Sequence, residues 1–243
     1  MSGIEDHLAQ AKALIASQPN PVAGGGTVGL LRRVCGATVQ ALSASGAGVS
    51  MMTDDGIRGV CAASDSRSER LEELQFTLGE GPCRDAYASR RPVLVPELAD
   101  GAMTRWPVYA STVHGKGVRA VFAFPLQIGA ARLGVLDVFR DQAGPLTSDE
   151  LRQAVLLADV TVAALLDQHE QNGTDAGLND LDEAVEDRAE LFQAQGMVMV
   201  QLGVSIGEAM ARMRAYAYAE NRRLSEVARD IVARRLRFDP DRS

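Results

Sequence analysis

Apolar positions fall at helical spacing first, then alternate in short runs, then return to helical spacing. Residues 3 to 17 read as an amphipathic helix, which PNPVAGGGT (19 to 27) breaks with Pro and Gly. A second helix is predicted over about 28 to 43, with Leu30, Leu31, Val34, Val39 and Leu42 as its apolar positions. GAGVSMMTDDG (46 to 56) and IRGVCAASD (57 to 65) are two strand candidates joined by Asp-Asp-Gly, a hairpin signal. A helical stretch with Glu69, Glu72 and Glu73 follows, then a Pro-bounded strand in PVLVPEL (92 to 98) and a short helix over 105 to 115. Residues 118 to 141 hold two β-rich runs around Gly129-Ala-Ala, a second hairpin. Strands and helices in this order predict an α+β domain on a mainly antiparallel sheet flanked by helices.

From Thr147 the texture changes. Leu151, Val155, Ala158, Val162, Leu165 and His169 follow one another at alternating steps of four and three, a heptad seam. Such a seam serves a dimer interface, or packs on the helix's own sheet, or does both. The polar, Gly-containing QNGTDAGLND (171 to 180) reads as a linker. Beyond it a helix resumes with Leu181, Val185, Phe192 and Met199 on one face, interrupted by Arg188 and Gln195, an imperfect coiled coil. Two further helices are expected. Ser205 caps the first in a box with Glu208, Ser225 or Asn221 caps the second, and FDPD (238 to 241) ends it.

Composition narrows the class. Hydrophobic residues make up 46% and charged residues 23%, as in a globular protein. No apolar stretch approaches the roughly 18 residues of a membrane helix, and the acidic start is unlike a secretion signal, so a cytoplasmic location without membrane contact is expected. Cys35, Cys61 and Cys83 are far apart, form no metal-ligand spacing, and read as reduced buried thiols. The net charge of −7 argues against a surface that coats nucleic acid. It is unevenly spread, however. Between Leu191 and Phe238 eight arginines face four acids, a net of about +4, which leaves about −11 for the remainder. A basic C-terminal module on an acidic body is a signature of nucleic-acid binding.

The segment AELFQAQGMVMVQLGVSIGEAMARMRAYAYAENRRLSEVARDIVARRL carries QAQG before Met199, then Ala209, Met213-Arg214, Ala217 and RRLSEVA. On these positions it resembles the ANTAR domain, a three-helix RNA-binding antitermination module. The resemblance implies hairpin loops in nascent transcripts as partners, and Gln195, Gly196, Met199, Arg214, Asn221, Arg222 and Arg223 as RNA-binding residues. Chemistry agrees. Gly196 within a helix costs about 1 kcal/mol relative to Ala, which points to close approach of a neighbouring helix or of a partner. Gln195 offers a donor and an acceptor, where many ANTAR domains carry Lys. Arg214, Arg222 and Arg223 can grip phosphate or stack on an unpaired base. Arg234, Arg235 and Arg237 fit a solvated helix end. One of Tyr216 and Tyr218 is expected in the core, the other free to stack. One domain would take one hairpin, so a homodimer would take two.

GEGPCRDAYASRRPVLVPEL through GVRAVFAFPLQIGAARLGVLDVFRD gives a Gly-Glu-Gly-Pro-Cys turn into a helix, a Pro-flanked strand and a final hairpin. In this the N-terminal part resembles a GAF domain, a sensory module that often cups a small ligand. Cys83, Trp106, Tyr109 and Phe124 are the candidates for such a pocket, with a core role as the alternative. The motif of cyclic-nucleotide-binding members is absent. No cofactor is expected, and haem or bilin attachment at Cys83 has little in its favour.

No phosphate loop, nucleophile elbow or metal triad is present, and Asp54-Asp55 reads as a turn, so catalysis is not expected. The predicted organisation is a GAF-like sensory domain over 1–170, a linker and coiled-coil-like connector helix over 171–185, and an all-α three-helix ANTAR-like domain over 186–243. The expected function is signal-responsive antitermination through RNA, with a small molecule or protein as the signal. A DNA-binding factor with the same sensor, or a module that binds protein alone, is the rival reading.

Overall fold

The computed structural model describes residues 2–19, 26–53, 56–171 and 190–239. Two helices, α1 (Ser2–Ser17) and α2 (Gly26–Ala41), precede the hairpin of β1 (Gly46–Thr53) and β2 (Gly56–Ala63). Helices α3 (Ser66–Leu78) and α4 (Pro82–Ser89) follow, then the short β3 (Val93–Val95), a kinked turn, α5 (Met103–Arg105) and α6 (Pro107–Gly115). The second hairpin is β4 (Ala120–Ile128) with β5 (Ala131–Arg140), reversed at Gly129 with φ +54°. A long helix, α7 (Ser148–Gln171), leads out of the sheet.

The strands form one antiparallel sheet in the order β2-β1-β5-β4-β3. Because successive strand residues point to opposite faces, each central strand feeds two cores. On β4, Ala120, Phe122, Phe124 and Leu126 meet α1, α2 and α7, while Val121 and Ala123 meet the α3, α4 and α6 side. On β5, Leu136 and Val138 take the first side, Val135 and Phe139 the second. Both faces are covered, which explains why these strands read as nearly continuous apolar runs.

The heptad stripe of α7 is turned largely inward. Ala158 and Val162 are buried, Leu151 and Leu165 pack partly on the same core, and Val155 is 42% exposed. The turn at Asp54-Asp55, the linker, and the connector helix with Leu181, Val185 and Arg188 lie outside the described residues, as does the side chain of His169.

The C-terminal unit comprises a helix over 190–202 (α8), α9 (Ile206–Ala219) and α10 (Leu224–Val232). Ala194 and Val198, Ala209, Met213 and Ala217, and Leu224, Val227, Ala228 and Ile231 make its core. The Ser205 hydroxyl caps α9 by accepting from the Glu208 N–H at 3.2 Å, the first of the two bonds of the expected box. The last helix departs from expectation at both ends. Asn221 takes a left-handed turn (φ +49°) and α10 starts after Arg223, whose N–H donates to Glu226 at 3.4 Å, so Ser225 lies inside the first turn and caps nothing. Arg234 (φ +57°) then ends the helix early, placing Arg235 and Arg237 beyond it. Among the described residues no helix is long and apolar enough to cross a membrane.

Candidate functional site

Each residue expected at an RNA surface has a definite place in the three-helix unit. Gln195 is 8% exposed, and its amide donates to the Ile206 carbonyl at 2.8 Å, tying α8 to the start of α9. Next to it, Gly196 has open space: a methyl group there would meet nothing within 4 Å. Among the described residues nothing packs closely on this glycine, which leaves room for an approaching partner. Met199 is partly buried against the core of the unit. Tyr216 packs partly on that core and meets Phe238 edge-on at 5.5 Å, while Tyr218 is 48% exposed.

Asn221, Arg222 and Arg223 come together on one cleft of about 420 Å³, which α3 and α6 close from the other side through Arg70, Glu73 and Lys116. Arg222 pairs with Asp230 at 2.6 Å, within its own unit. Arg223 instead crosses to α3, reaching Glu69 and Glu73 at 3.2 Å each. Burial opposes its charge, but these two carboxylates hold its pKa above the ordinary value. Arg214 also faces α3. It lies against Gly79, the left-handed cap of that helix, where a Cβ would stand 2.3 Å from a guanidinium nitrogen and the arginine would have to shift. Burial and the nearby Arg84 both disfavour the Arg214 charge. Gln195, Gly196 and Met199 belong to α8, so the predicted set divides between two places.

The predicted ligand pocket also divides. Cys83, Trp106 and Tyr109 share the core beneath α3, α4 and α6, whereas Phe124 points through the sheet to the opposite core. The period of two along β4 sends it there.

Around Cys83 and Tyr109 stands a buried polar cluster. Glu72 and Gln75 enter from α3, Ser50 from β1, Asp137 from β5 and Cys83 from the first turn of α4, each fully buried. The Ser50 hydroxyl donates to Glu72 Oε2 at 2.9 Å, the Gln75 amide to Asp137 Oδ2 at 3.2 Å, and the Cys83 N–H to Gln75 Oε1 at 2.8 Å. The Glu72 and Asp137 carboxyls also lie within hydrogen-bond reach of each other, and Asp137 of the Cys83 thiol, whereas the Tyr109 hydroxyl has no partner. Burial pushes both carboxyls, the Cys83 thiol and the Tyr109 phenol above their ordinary values, and the negative neighbours push Glu72, Cys83 and Tyr109 further. The backbone is shaped to admit these groups. A Cβ on Gly48 would stand 2.5 Å from Glu72 Cγ, and one on Gly81 2.6 Å from Gln75 Oε1.

Comparison with known families fits this two-part architecture. The family model for the GAF domain matches residues 28–166, more than half of the chain. The chain belongs to the GAF domain family. Behind it, the family model for the ANTAR domain matches residues 179–232. Among solved structures, the GAF domain from an Acinetobacter phosphoenolpyruvate-protein phosphotransferase aligns with a TM-score of 0.50 at 13% identity, over 70% of this chain and 98% of that one. The GAF domain of the corresponding Coxiella burnetii protein gives 0.48 at 16% identity, over 68% and 94%. At 13% identity the likeness to the Acinetobacter domain shows the fold alone. No curated protein matches the chain.

A GAF domain implies a sensory role and an ANTAR domain implies RNA-binding antitermination, so the architecture is regulatory rather than catalytic. Sequence reading missed Glu72, Gln75, Ser50 and Asp137. Two signals were present. Asp137 interrupts the apolar run GVLDVF, and Glu72 and Gln75 fall on the helical stripe of Ser68, Leu71 and Phe76 that α3 buries.

Proposed function

We propose that the protein is a signal-responsive antitermination regulator whose ANTAR domain binds hairpin loops in nascent transcripts and whose GAF domain controls access to that surface. In this reading the sensory unit spans residues 1–170, the linker and connector 171–185, and the RNA-binding unit 186–243.

The observation that carries the proposal is the engagement of Arg223 by Glu69 and Glu73, with Arg214 packed against Gly79 at the end of the same helix. Carboxylates occupy the donors that an RNA phosphate would take, so RNA and α3 compete for the same side chains. A small molecule or protein signal acting on the GAF domain would shift that competition. A ligand works here only through its different affinity for the docked and released states. Gly196, with open space over it, and the exposed Tyr218 give RNA a backbone to approach and a ring to stack on.

A homodimer would present two such units to two hairpins. The seam on α7 supports it at its exposed edge, Val155, rather than along its whole length. Light scattering should report a dimer that Val155→Glu weakens.

The deciding assay is fluorescence polarisation of the full chain against a dual-hairpin RNA, the same sequence as DNA, and a scrambled RNA. Selective binding of the hairpin RNA, weakened in Arg214→Ala and Arg222→Ala and with a reduced salt dependence in each, agrees with the proposal. Equal or tighter binding of the DNA would replace it by the DNA-binding reading, and binding of neither by a protein-interaction role.

A further inference from the structure

We propose that Glu72, Cys83 and Asp137 form a binding site in the GAF core for one divalent transition-metal ion of the zinc or iron(II) class. The carboxylate and thiol donor atoms lie within 4.8 Å of one another, and all three residues are fully buried. Donors around a tetrahedral ion of this class stand roughly 3.5 Å apart, so closure by about 1 Å brings them to bonding distance. Residues 72, 83 and 137 come from α3, α4 and β5, which is why spacing along the sequence gives no ligand pattern.

A second, independent observation marks a ligand. One fully buried oxygen at this place, the Tyr109 hydroxyl, lacks any partner, while Glu72 and Asp137 find only each other, Ser50, Gln75 and Cys83. Buried polar atoms are rarely left unpaired, because each one costs about 1–3 kcal/mol. Tyr109 lies in the same core as Cys83, close enough for the charges of Asp137, Glu72 and Cys83 to act on it. Among the described residues no Lys or Arg pairs with Glu72 or Asp137, and a dication would supply the missing charge. Gly48 completes the case, since any side chain there would occupy the space of the Glu72 carboxylate.

The donor set selects the ion. A thiolate disfavours magnesium and calcium, two carboxylates disfavour copper(I), and the mixture suits zinc or iron(II). Binding forms one metal–sulfur and two metal–oxygen bonds and releases the thiol proton and any proton shared by the carboxyls to solvent. The site has a natural output. Helix α3 turns Glu72 inward to the ion and Glu69 and Glu73 outward to Arg223, so occupancy would fix the helix that holds the ANTAR domain. This last link rests on the proposed function; the site itself does not.

The test uses the whole chain, freed of metal by a chelator and titrated with cobalt(II) as a spectroscopic probe, then with zinc(II). One equivalent of cobalt is expected, with a thiolate-to-cobalt charge-transfer band in the near ultraviolet that zinc abolishes. Both ions should raise the melting temperature. Cys83→Ser, a near-isosteric change, should remove the band, whereas Cys35→Ser and Cys61→Ser should keep it; Asp137→Asn should weaken binding at least about tenfold, about 1.4 kcal/mol. A wild-type chain that binds neither ion overturns the proposal, as does a band that survives Cys83→Ser. RNA affinity measured with and without zinc separates the two claims: metal bound with no change in RNA affinity leaves the site standing and removes only its link to output.

Discussion

Arg223, the residue that precedes the last ANTAR helix, lies 3.2 Å from Glu69 on the outer face of α3, 154 residues earlier in the chain. Glu73, one turn further along, holds the other edge of the same guanidinium. This clamp stands where the sensor touches the output unit, and α3 packs on α9 beside it.

Releasing the clamp should therefore increase RNA binding. Partly exposed ion pairs are worth about 0.2–1 kcal/mol each, so Glu69→Gln combined with Glu73→Gln should tighten RNA binding by roughly two- to thirtyfold. Arg223→Ala should loosen the clamp and weaken RNA binding together. Polarisation titrations at two salt concentrations check both. Unchanged affinity in the double Glu variant would show that the clamp does not restrain RNA binding.

Gly196→Ala separates a packing role from a partner role. With none of the described residues within 4 Å, alanine should raise the stability of the ANTAR domain by up to about 1 kcal/mol through helix propensity. If RNA approaches this backbone, the same variant should bind RNA more weakly. Thermal melts and binding titrations on one preparation report the two effects independently.

Gln195→Ala should cost about 1 kcal/mol, because it removes the donor to the Ile206 carbonyl that joins α8 to α9. Gln195→Leu should cost as much or more, since it leaves the carbonyl without that donor. Chemical denaturation of the full chain, followed by a probe in the C-terminal unit, measures the loss. A loss of RNA binding without loss of stability would instead place Gln195 in direct contact with RNA.

Asp65 caps α3, accepting from the N–H groups of Arg67 at 2.7 Å and Ser68 at 2.9 Å. Partial burial raises its pKa, but the hydrogen bonds from Ser68, Ser64 and Arg67 outweigh this and leave it below the ordinary carboxylate value. A carboxyl lowered on folding stabilises above its unfolded pKa and loses that contribution as pH falls through its folded value. Asp65→Ala should thus cost about 1 kcal/mol at neutral pH. Its difference from wild type should shrink on acidification below the normal carboxylate range. Melting curves from neutral to acid pH would show the convergence, and a constant gap would count against the charge.

The sequence by itself determined the order of helices and strands, both hairpins and the Ser205 cap of α9. Each depends on spacing or turn chemistry within a few residues. It also carried the ANTAR and GAF resemblances, since their motifs are nearly contiguous. The cap of α10 was misread because a left-handed turn at Asn221 moved the helix start past Ser225. Phe124 fell on the wrong side of the sheet for the predicted pocket, because facing depends on strand register and not on proximity in sequence. Only the tertiary structure brought Glu72, Cys83 and Asp137 to one point, and only it set Arg223 against Glu69 and Glu73. Contacts over such separations leave no local pattern: each residue obeys its own helix or strand period, and the packing of α3 on the sheet and on α9 decides what it meets.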